Sequence, residues 1–184
     1  MNTRHRVSLK IPSYEDYIRI YEFRFTPEVT YWADDVDPKL SMEDYAMGRL
    51  MSQNTGEVLE RIIVVDGVPV GTVSARDFEA KYNRCTLGIV IANPAYWGHG
   101  YGYAALRMFN CVMADEGIGH VILETYANNK RALRCFTKLG FQKRRVFFSP
   151  SSGRFVVQMT MSLTARRPIG EVIRPGDPRW RRPC

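Results

Sequence analysis

The sequence predicts a mixed α/β fold in a single domain. Apolar residues alternate in some segments and recur every three or four residues in others, in the order β-α-α-β-β-β-α-β-α-β-β. The chain has 184 residues, 45% of them hydrophobic and 24% charged, which is enough to bury a core. No run approaches the roughly 18 apolar residues of a membrane span, and no segment resembles a signal peptide. We therefore expect a cytoplasmic protein.

The first three elements are a strand and two capped helices. Residues 7–11 alternate as a half-buried strand. Ser13 is placed to cap a helix over residues 14–25, and Ser41 is placed to cap a second helix over residues 42–51.

Three strands follow the second helix. Residues 61–65 and 70–78 flank Asp66-Gly67, a typical hairpin turn. Residues 85–92 are nearly all apolar, so we expect a central strand buried on both faces.

The second half of the chain alternates helices with strands. We expect helices over residues 100–116 and 129–139, a strand over residues 121–125, and a closing pair of strands over residues 141–148 and 154–163. The total is about seven strands and four helices, with residues 1–163 as one domain.

Residues 164–184 form an Arg/Pro-rich tail that we expect to be poorly ordered. It carries six arginines against two acids, a net charge of +4 out of +7 for the whole chain. Contact with a polyanion such as ribosomal RNA is therefore expected mainly from the tail. An uninvolved disordered end is the alternative.

Metal binding is not indicated. The four cysteines contain no CxxC pair and only three histidines exist, so neither a zinc site nor a disulfide framework is expected.

Three alternating glycines between a buried strand and a helix point to a phosphate site. Gly98, Gly100 and Gly102 would let a ligand approach the backbone N–H groups that a helix leaves unpaired at its start. Gly100-x-Gly102-x-x-Ala105 also fits a dinucleotide fingerprint, with Glu124 as its ribose acid, but this loop does not follow the strand at once.

Two segments resemble the GNAT superfamily of N-acetyltransferases. Trp97-Gly98-His99-Gly100-Tyr101-Gly102 is similar to its Arg/Gln-x-x-Gly-x-Gly/Ala loop, with Trp97 in place of Arg or Gln. Residues 129–141 resemble its Asn-x-x-Ala…Lys-x-Gly-Phe signature. The opening strand and helix, up to Pro27-Glu28-Val29, resemble the branch that acetylates N-termini of ribosomal proteins. The resemblance implies a single domain whose sheet splays between the fourth and fifth strands.

The same resemblance implies that acetyl-CoA is the acetyl donor. Backbone groups of the fourth strand would bond the pantetheine arm or the thioester oxygen, and the glycine loop and the last helix would hold the phosphates. The cofactor-binding residues it implies are Ile89, Val90, Ile91, Gly98, His99, Gly100, Tyr101, Gly102, Tyr103, Asn129, Arg131 and Ala132.

Acetyl transfer to an amine needs a base, because an aliphatic amine with a pKa near 10.4 is mostly protonated at neutral pH. Two positions depart from the family pattern: Thr86 replaces a common glutamate, and Phe136 replaces the tyrosine that commonly acts as acid. The remaining candidate bases are Glu124, Asp77 and Glu79, and the candidate acids are Tyr126, Cys135 and Ser149. A CoA thiolate is a tolerable leaving group, so a dedicated acid is not required.

The leading hypothesis is N-acetylation of a primary amine, either a protein N-terminus or a small polyamine-like molecule. Asp34, Asp35 and Asp37 could attract a cationic acceptor, and Tyr31 and Trp32 could shape its pocket. The alternatives are a catalytically silent CoA-binding or ribosome-associated module and a dinucleotide-binding oxidoreductase. A monomer or a homodimer is expected, without membrane contact.

Overall fold

The computed structural model describes residues 5–33 and 39–163. The predictions for the tail and for Asp34, Asp35 and Asp37 fall outside these residues. The chain forms two compact units. The first comprises the residues up to Ser74 together with Ile89–Phe109, and the second comprises Ala75–Gly88 together with the residues from Asn110 on.

The helices and strands follow the predicted order, with one added helix. Their bounds are β1 Val7–Lys10, α1 Tyr14–Arg24, α2 Pro27–Thr30, α3 Met42–Asn54, β2 Leu59–Val65, β3 Val68–Glu79, β4 Arg84–Ile91, α4 Tyr101–Asp115, β5 His120–Tyr126, α5 Lys130–Leu139, β6 Gln142–Ser149 and β7 Arg154–Ser162. Short 3₁₀ turns lie at Ala80–Tyr82 and Pro94–Tyr96.

The strands are hydrogen-bonded in the order β1-β2-β3-β4-β5-β7-β6, so the predicted mixed sheet of seven strands is confirmed. The predicted number of helices is wrong, because the described part of the chain contains five α-helices and not four. The added helix, α2, begins at Pro27. A proline in the first helical turn has a fixed φ that suits a helix start, so this residue begins a helix as well as following one.

In the first unit, the predicted helix caps are present. The Ser13 side chain accepts a hydrogen bond from the Asp16 N–H, and the Asp16 carboxylate accepts one from the Ser13 N–H, a complete capping box. Ser41 accepts from the Asp44 N–H in the same way. Side chains of α1 and α3, including Tyr17 and Tyr45, pack with residues of β2 and with Val90 of β4.

A buried ion pair also lies in the first unit. Glu60 of β2 is fully buried and is bound by the Arg49 guanidinium and the Tyr17 hydroxyl. Burial and the neighbouring Glu60 carboxylate raise the pKa of Tyr17. Removing one member of such a pair would leave a buried charge uncompensated, which costs about 3–5 kcal/mol.

In the second unit, β4 and β5 are parallel and pair at their beginnings, from Arg84–His120 to Thr86–Ile122. The pairing ends there, although β5 continues to Tyr126 and pairs antiparallel with β7 along its whole length. This short parallel contact agrees with the predicted splay after the first residues of the two strands. Strand β6 pairs antiparallel with β7.

Strand β4 differs from its predicted burial. Cys85 and Leu87 are buried, but residues 88–91 are only half-buried, so the prediction of a strand buried on both faces is wrong at its end. An apolar run does not reveal whether a neighbouring strand stays beside it.

Within the described ranges, no helix has the length and hydropathy that a membrane span requires.

Candidate active site

The loop between β4 and α4 is held open by two glycines. Gly98 and Gly100 both have a φ of +83°, in the left-handed region that favours glycine. A Cβ atom built on either residue would meet no heavy atom within 4 Å. Both residues therefore face open space, and a ligand can approach their backbone closely.

Helix α4 begins directly after this loop. The Ala104 N–H donates to the Gly100 carbonyl at 3.1 Å, the first bond of the helical pattern. The N–H groups of Tyr101 and Gly102 precede it, so they have no carbonyl one turn back within the helix. Together with the helix dipole, such groups attract an anion.

Trp97 fixes the start of the loop. Its indole Nε1–H donates to the Ile91 carbonyl at 2.7 Å, and its own backbone N–H donates to the Pro94 carbonyl at 3.0 Å. The side chain that replaces the Arg or Gln of the family pattern therefore ties the loop to the last residue of β4. The sequence identified the replacement but not this bond.

Two loop aromatics pack together. The His99 and Tyr101 rings stack at 5.5 Å, and Tyr101 is buried with an edge contact to His5 and a tilted contact to Tyr96. His5 in turn bonds Asp66 of the β2–β3 turn at 2.5 Å. The Tyr101 ring thus belongs to the packing of the first unit, which leaves its backbone N–H as the group able to meet a ligand.

The end of β4 lies beside the loop. The Ala92 N–H donates to the Val70 carbonyl of β3 at 2.8 Å. Because successive residues of a strand point their backbone groups to opposite edges, the groups of Val90 also face β3, and those of Ile89 and Ile91 face the other edge. The Ile89 side chain approaches to 3.7 Å of the Cβ position of Gly102.

The α5 signature residues lie in the second unit. Asn129 is buried and caps α5, with its Oδ1 accepting from the Ala132 N–H at 3.1 Å. Its carbonyl oxygen is thereby engaged, which leaves its amide NH₂ as the side-chain group able to donate to a ligand. Partial burial lowers the pKa of Arg131, whose side chain remains largely exposed.

Glu124 and Tyr126 are on one face of β5, because they are two residues apart. Glu124 is exposed, and its Oε1 accepts from the Gln158 amide at 2.8 Å. Tyr126 is buried, and the Arg154 guanidinium carbon lies 3.4 Å from its ring centroid. Gln158 and Arg154 were missed from the sequence. The β5–β7 register, which pairs Glu124 with Gln158, is the signal that would have identified the first.

The other candidate bases differ in their surroundings. Asp77 has a φ of +53° and a side chain that is 66% exposed, 3.5 Å from Arg76. Glu79 receives two hydrogen bonds from Arg84, at 2.8 and 2.7 Å, which lower the pKa of its carboxyl group. A lower pKa makes a carboxylate a weaker base, so Glu79 is poorly suited to accept a proton.

Two of the three candidate acids, Cys135 and Ser149, are constrained by their surroundings. Burial raises the pKa of Cys135, and Ser149 is hydrogen-bonded to Ser151 at 3.0 Å. Phe136 is buried and packs edge-on against Phe141. No group of three or more His, Cys, Asp or Glu within residues 5–33 and 39–163 is arranged to hold a metal ion.

The chain is similar in sequence to known acetyltransferases. A family model of the acetyltransferase (GNAT) domain matches residues 6–142. The aminoglycoside N(6')-acetyltransferase type 1 of Klebsiella pneumoniae is 21% identical, with 91% of this chain and 90% of that protein aligned.

Solved structures share the fold. A spermidine N-acetyltransferase from Vibrio cholerae in complex with CoA and spermine superposes with a TM-score of 0.76 at 13% identity, covering 86% of this chain and 96% of that one. The RimL ribosomal L7/L12 alpha-N-protein acetyltransferase in complex with coenzyme A gives a TM-score of 0.75 at 13% identity, covering 86% of this chain and 95% of that one.

Proposed function

Because this chain belongs to the GNAT acetyltransferase family, we propose that it transfers the acetyl group of acetyl-CoA to a cationic primary amine by direct attack. The observation that carries the proposal is the open glycine loop at the start of α4. Gly98 and Gly100 face open space, and the helix that follows begins with N–H groups that have no intrahelical acceptor. A pyrophosphate bound there would meet both the amides and the helix dipole.

The pantetheine arm would bond the edge of β4 that faces away from β3. The backbone groups of Ile89 and Ile91 face this edge, whereas Val90 faces β3. The Ile91 carbonyl already accepts the Trp97 indole N–H, so the N–H and carbonyl of Ile89 and the N–H of Ile91 are the groups left for the cofactor. Of the Val90 and Ile91 N–H groups, that of Ile91 is then the better candidate donor to the thioester oxyanion.

Glu124 is the preferred base among the candidates. It is exposed, and its Oε1 accepts a hydrogen bond from the Gln158 amide, which orients the carboxylate. It would remove the proton from the acceptor ammonium directly or through water. The free amine then attacks the thioester carbon, the C–S bond breaks, and the nitrogen releases its extra proton to solvent to give the neutral amide. CoA leaves as a thiolate that takes a proton from Tyr126 or from solvent.

The acceptor is proposed to be a cation. Glu43 and Asp44 lie in the first turn of α3, and the sequence places three further aspartates at positions 34, 35 and 37. Tyr31 is half exposed and packs edge-on against Trp32. Aminoglycosides, spermine and protein N-termini, the molecules named for the similar proteins, are all amines that carry positive charge at neutral pH.

Two measurements test the proposal. Titration calorimetry with acetyl-CoA, CoA and NAD should show binding of both CoA species, and absence of that binding would overturn it. A CoA-release assay with spermidine, kanamycin and a short peptide with a free N-terminus should then give turnover with at least one acceptor. Binding without turnover on any of them would favour the silent CoA-binding module, for which the non-acidic Phe136 is the structural argument.

A further inference from the structure

A concave surface in the second unit is separate from the residues assigned above. It lies where β4, β5 and β6 begin and β7 ends, and it encloses about 690 Å³, within the range of small-ligand sites. The side chains that matter for its chemistry are those of Tyr82, Arg84, His120, Arg144, Thr160 and Ser162. We call it the β5 groove.

The β5 groove is cationic. None of the described residues that line it is acidic. Arg84 is balanced by Glu79, which binds it through two hydrogen bonds. Arg144 donates through Nε to the Thr160 hydroxyl at 2.7 Å, and its two terminal nitrogens make no hydrogen bond to residues in the described ranges. Within the part of the chain that the structure describes, no carboxylate therefore compensates the charge of Arg144.

A β-bulge directs Arg144 into the groove. Lys143 pairs with Met159 and Arg145 pairs with Gln158, so Arg144 is the extra residue on β6 that no residue of β7 opposes. Bulges commonly redirect a side chain in this way. The Arg144 side chain is held by the Thr160 hydroxyl rather than by a carboxylate, which fixes the guanidinium and keeps its charge available to an anion.

An exposed aromatic ring lies beside these cations. Tyr82 is 51% exposed, with the Lys81 ammonium 5.3 Å and the Arg84 guanidinium 4.7 Å from its ring centroid. An aromatic ring that can stack on a base, next to cations that hold phosphates, is the combination used for single-stranded nucleic acids.

We propose that the β5 groove binds single-stranded nucleic acid, with a phosphate on Arg144 and a base on Tyr82. An anionic lipid surface is the competing occupant, but a concave groove with an exposed ring suits a flexible strand better.

The test is fluorescence anisotropy of a 5′-fluorescein-labelled 20-nucleotide single-stranded RNA with the full chain. Arg144→Glu should weaken binding about tenfold or more and reduce the slope of log affinity against log salt by about 1. Tyr82→Ala should weaken it about fivefold or more. Arg19→Glu is the matched control, because it makes the same charge change on an exposed residue of α1 and should have little effect.

The outcomes separate the alternatives. Saturating acetyl-CoA should not displace the RNA, and Arg144→Glu should bind acetyl-CoA as the unaltered chain does, which shows that it is folded. Equal losses in Arg144→Glu and Arg19→Glu, or none in either, would overturn the proposal in favour of general charge or the tail alone. Displacement by acetyl-CoA would overturn it, as would binding to phosphatidylserine vesicles without binding to RNA.

Discussion

Replacement of Gly100 by Asp or by Asn isolates the electrostatic part of cofactor binding. Both side chains are nearly isosteric, and both are among the non-glycine residues that best tolerate a φ of +83°. A Cβ at this position meets nothing within 4 Å, so neither replacement clashes with the fold. The two variants differ in one negative charge beside the proposed pyrophosphate site.

The size of the effect follows from Coulomb's law. A carboxylate about 6 Å from a pyrophosphate with two negative charges is repelled by about 1.4 kcal/mol at the dielectric constant of water and by about 5.5 kcal/mol at an effective value of 20. Gly100→Asp should therefore bind acetyl-CoA about tenfold or more weakly than Gly100→Asn. Its stability without cofactor should be equal or higher, because a carboxylate at the start of a helix gains about 0.3–1 kcal/mol from the dipole.

Titration calorimetry at low ionic strength measures the affinities, and thermal unfolding of the cofactor-free variants measures the stabilities. Equal affinity of Gly100→Asp and Gly100→Asn for acetyl-CoA would refute the assignment of this loop to the pyrophosphate. A large loss of stability in Gly100→Asp but not in Gly100→Asn would contradict the claim that residue 100 lies at the positive end of the α4 dipole.

Two further pairs of variants test the packing and the choice of base. Gly71→Ala should destabilise the chain by about 3 kcal/mol or more, because its Cβ would lie 2.0 Å from the Val90 carbonyl oxygen. Gly48→Ala, in open space on α3, should instead stabilise the chain by about 0.5–1 kcal/mol. Chemical denaturation measures both changes in stability, and similar changes in the two variants would contradict the close packing at Gly71. Glu124→Gln should lower kcat about 100-fold at unchanged KM for acetyl-CoA, while Glu79→Gln should leave kcat within about twofold. Steady-state kinetics decides this, and equal kcat in the two variants would reject Glu124 as the base.

Local signals predicted most of the secondary structure. The Ser13 and Ser41 caps and the Asp66-Gly67 turn depend on hydrogen bonds and φ angles within a few residues, so they can be predicted from the local sequence. The glycine loop has a local cause of the same kind, because glycine readily adopts the positive φ angles found at Gly98 and Gly100.

Long-range pairing was harder to predict. The half-exposed end of β4 depends on where β5 stops pairing with it, and an apolar run in the sequence does not predict that position. The partner of one candidate catalytic residue has the same origin, because the β5–β7 register places Gln158 opposite Glu124. Residue types gave the candidates for proton transfer, but only the contacts rank them.

Backbone amide NMR with ¹⁵N-glycine labelling tests the central claim most directly. With saturating acetyl-CoA, the amide signals of Gly98, Gly100 and Gly102 should shift as their N–H groups meet the pyrophosphate, and those of Gly117 and Gly153, in turns elsewhere in the chain, should stay in place. Unmoved signals for the first three glycines, at a concentration where calorimetry shows the cofactor bound, would contradict the account.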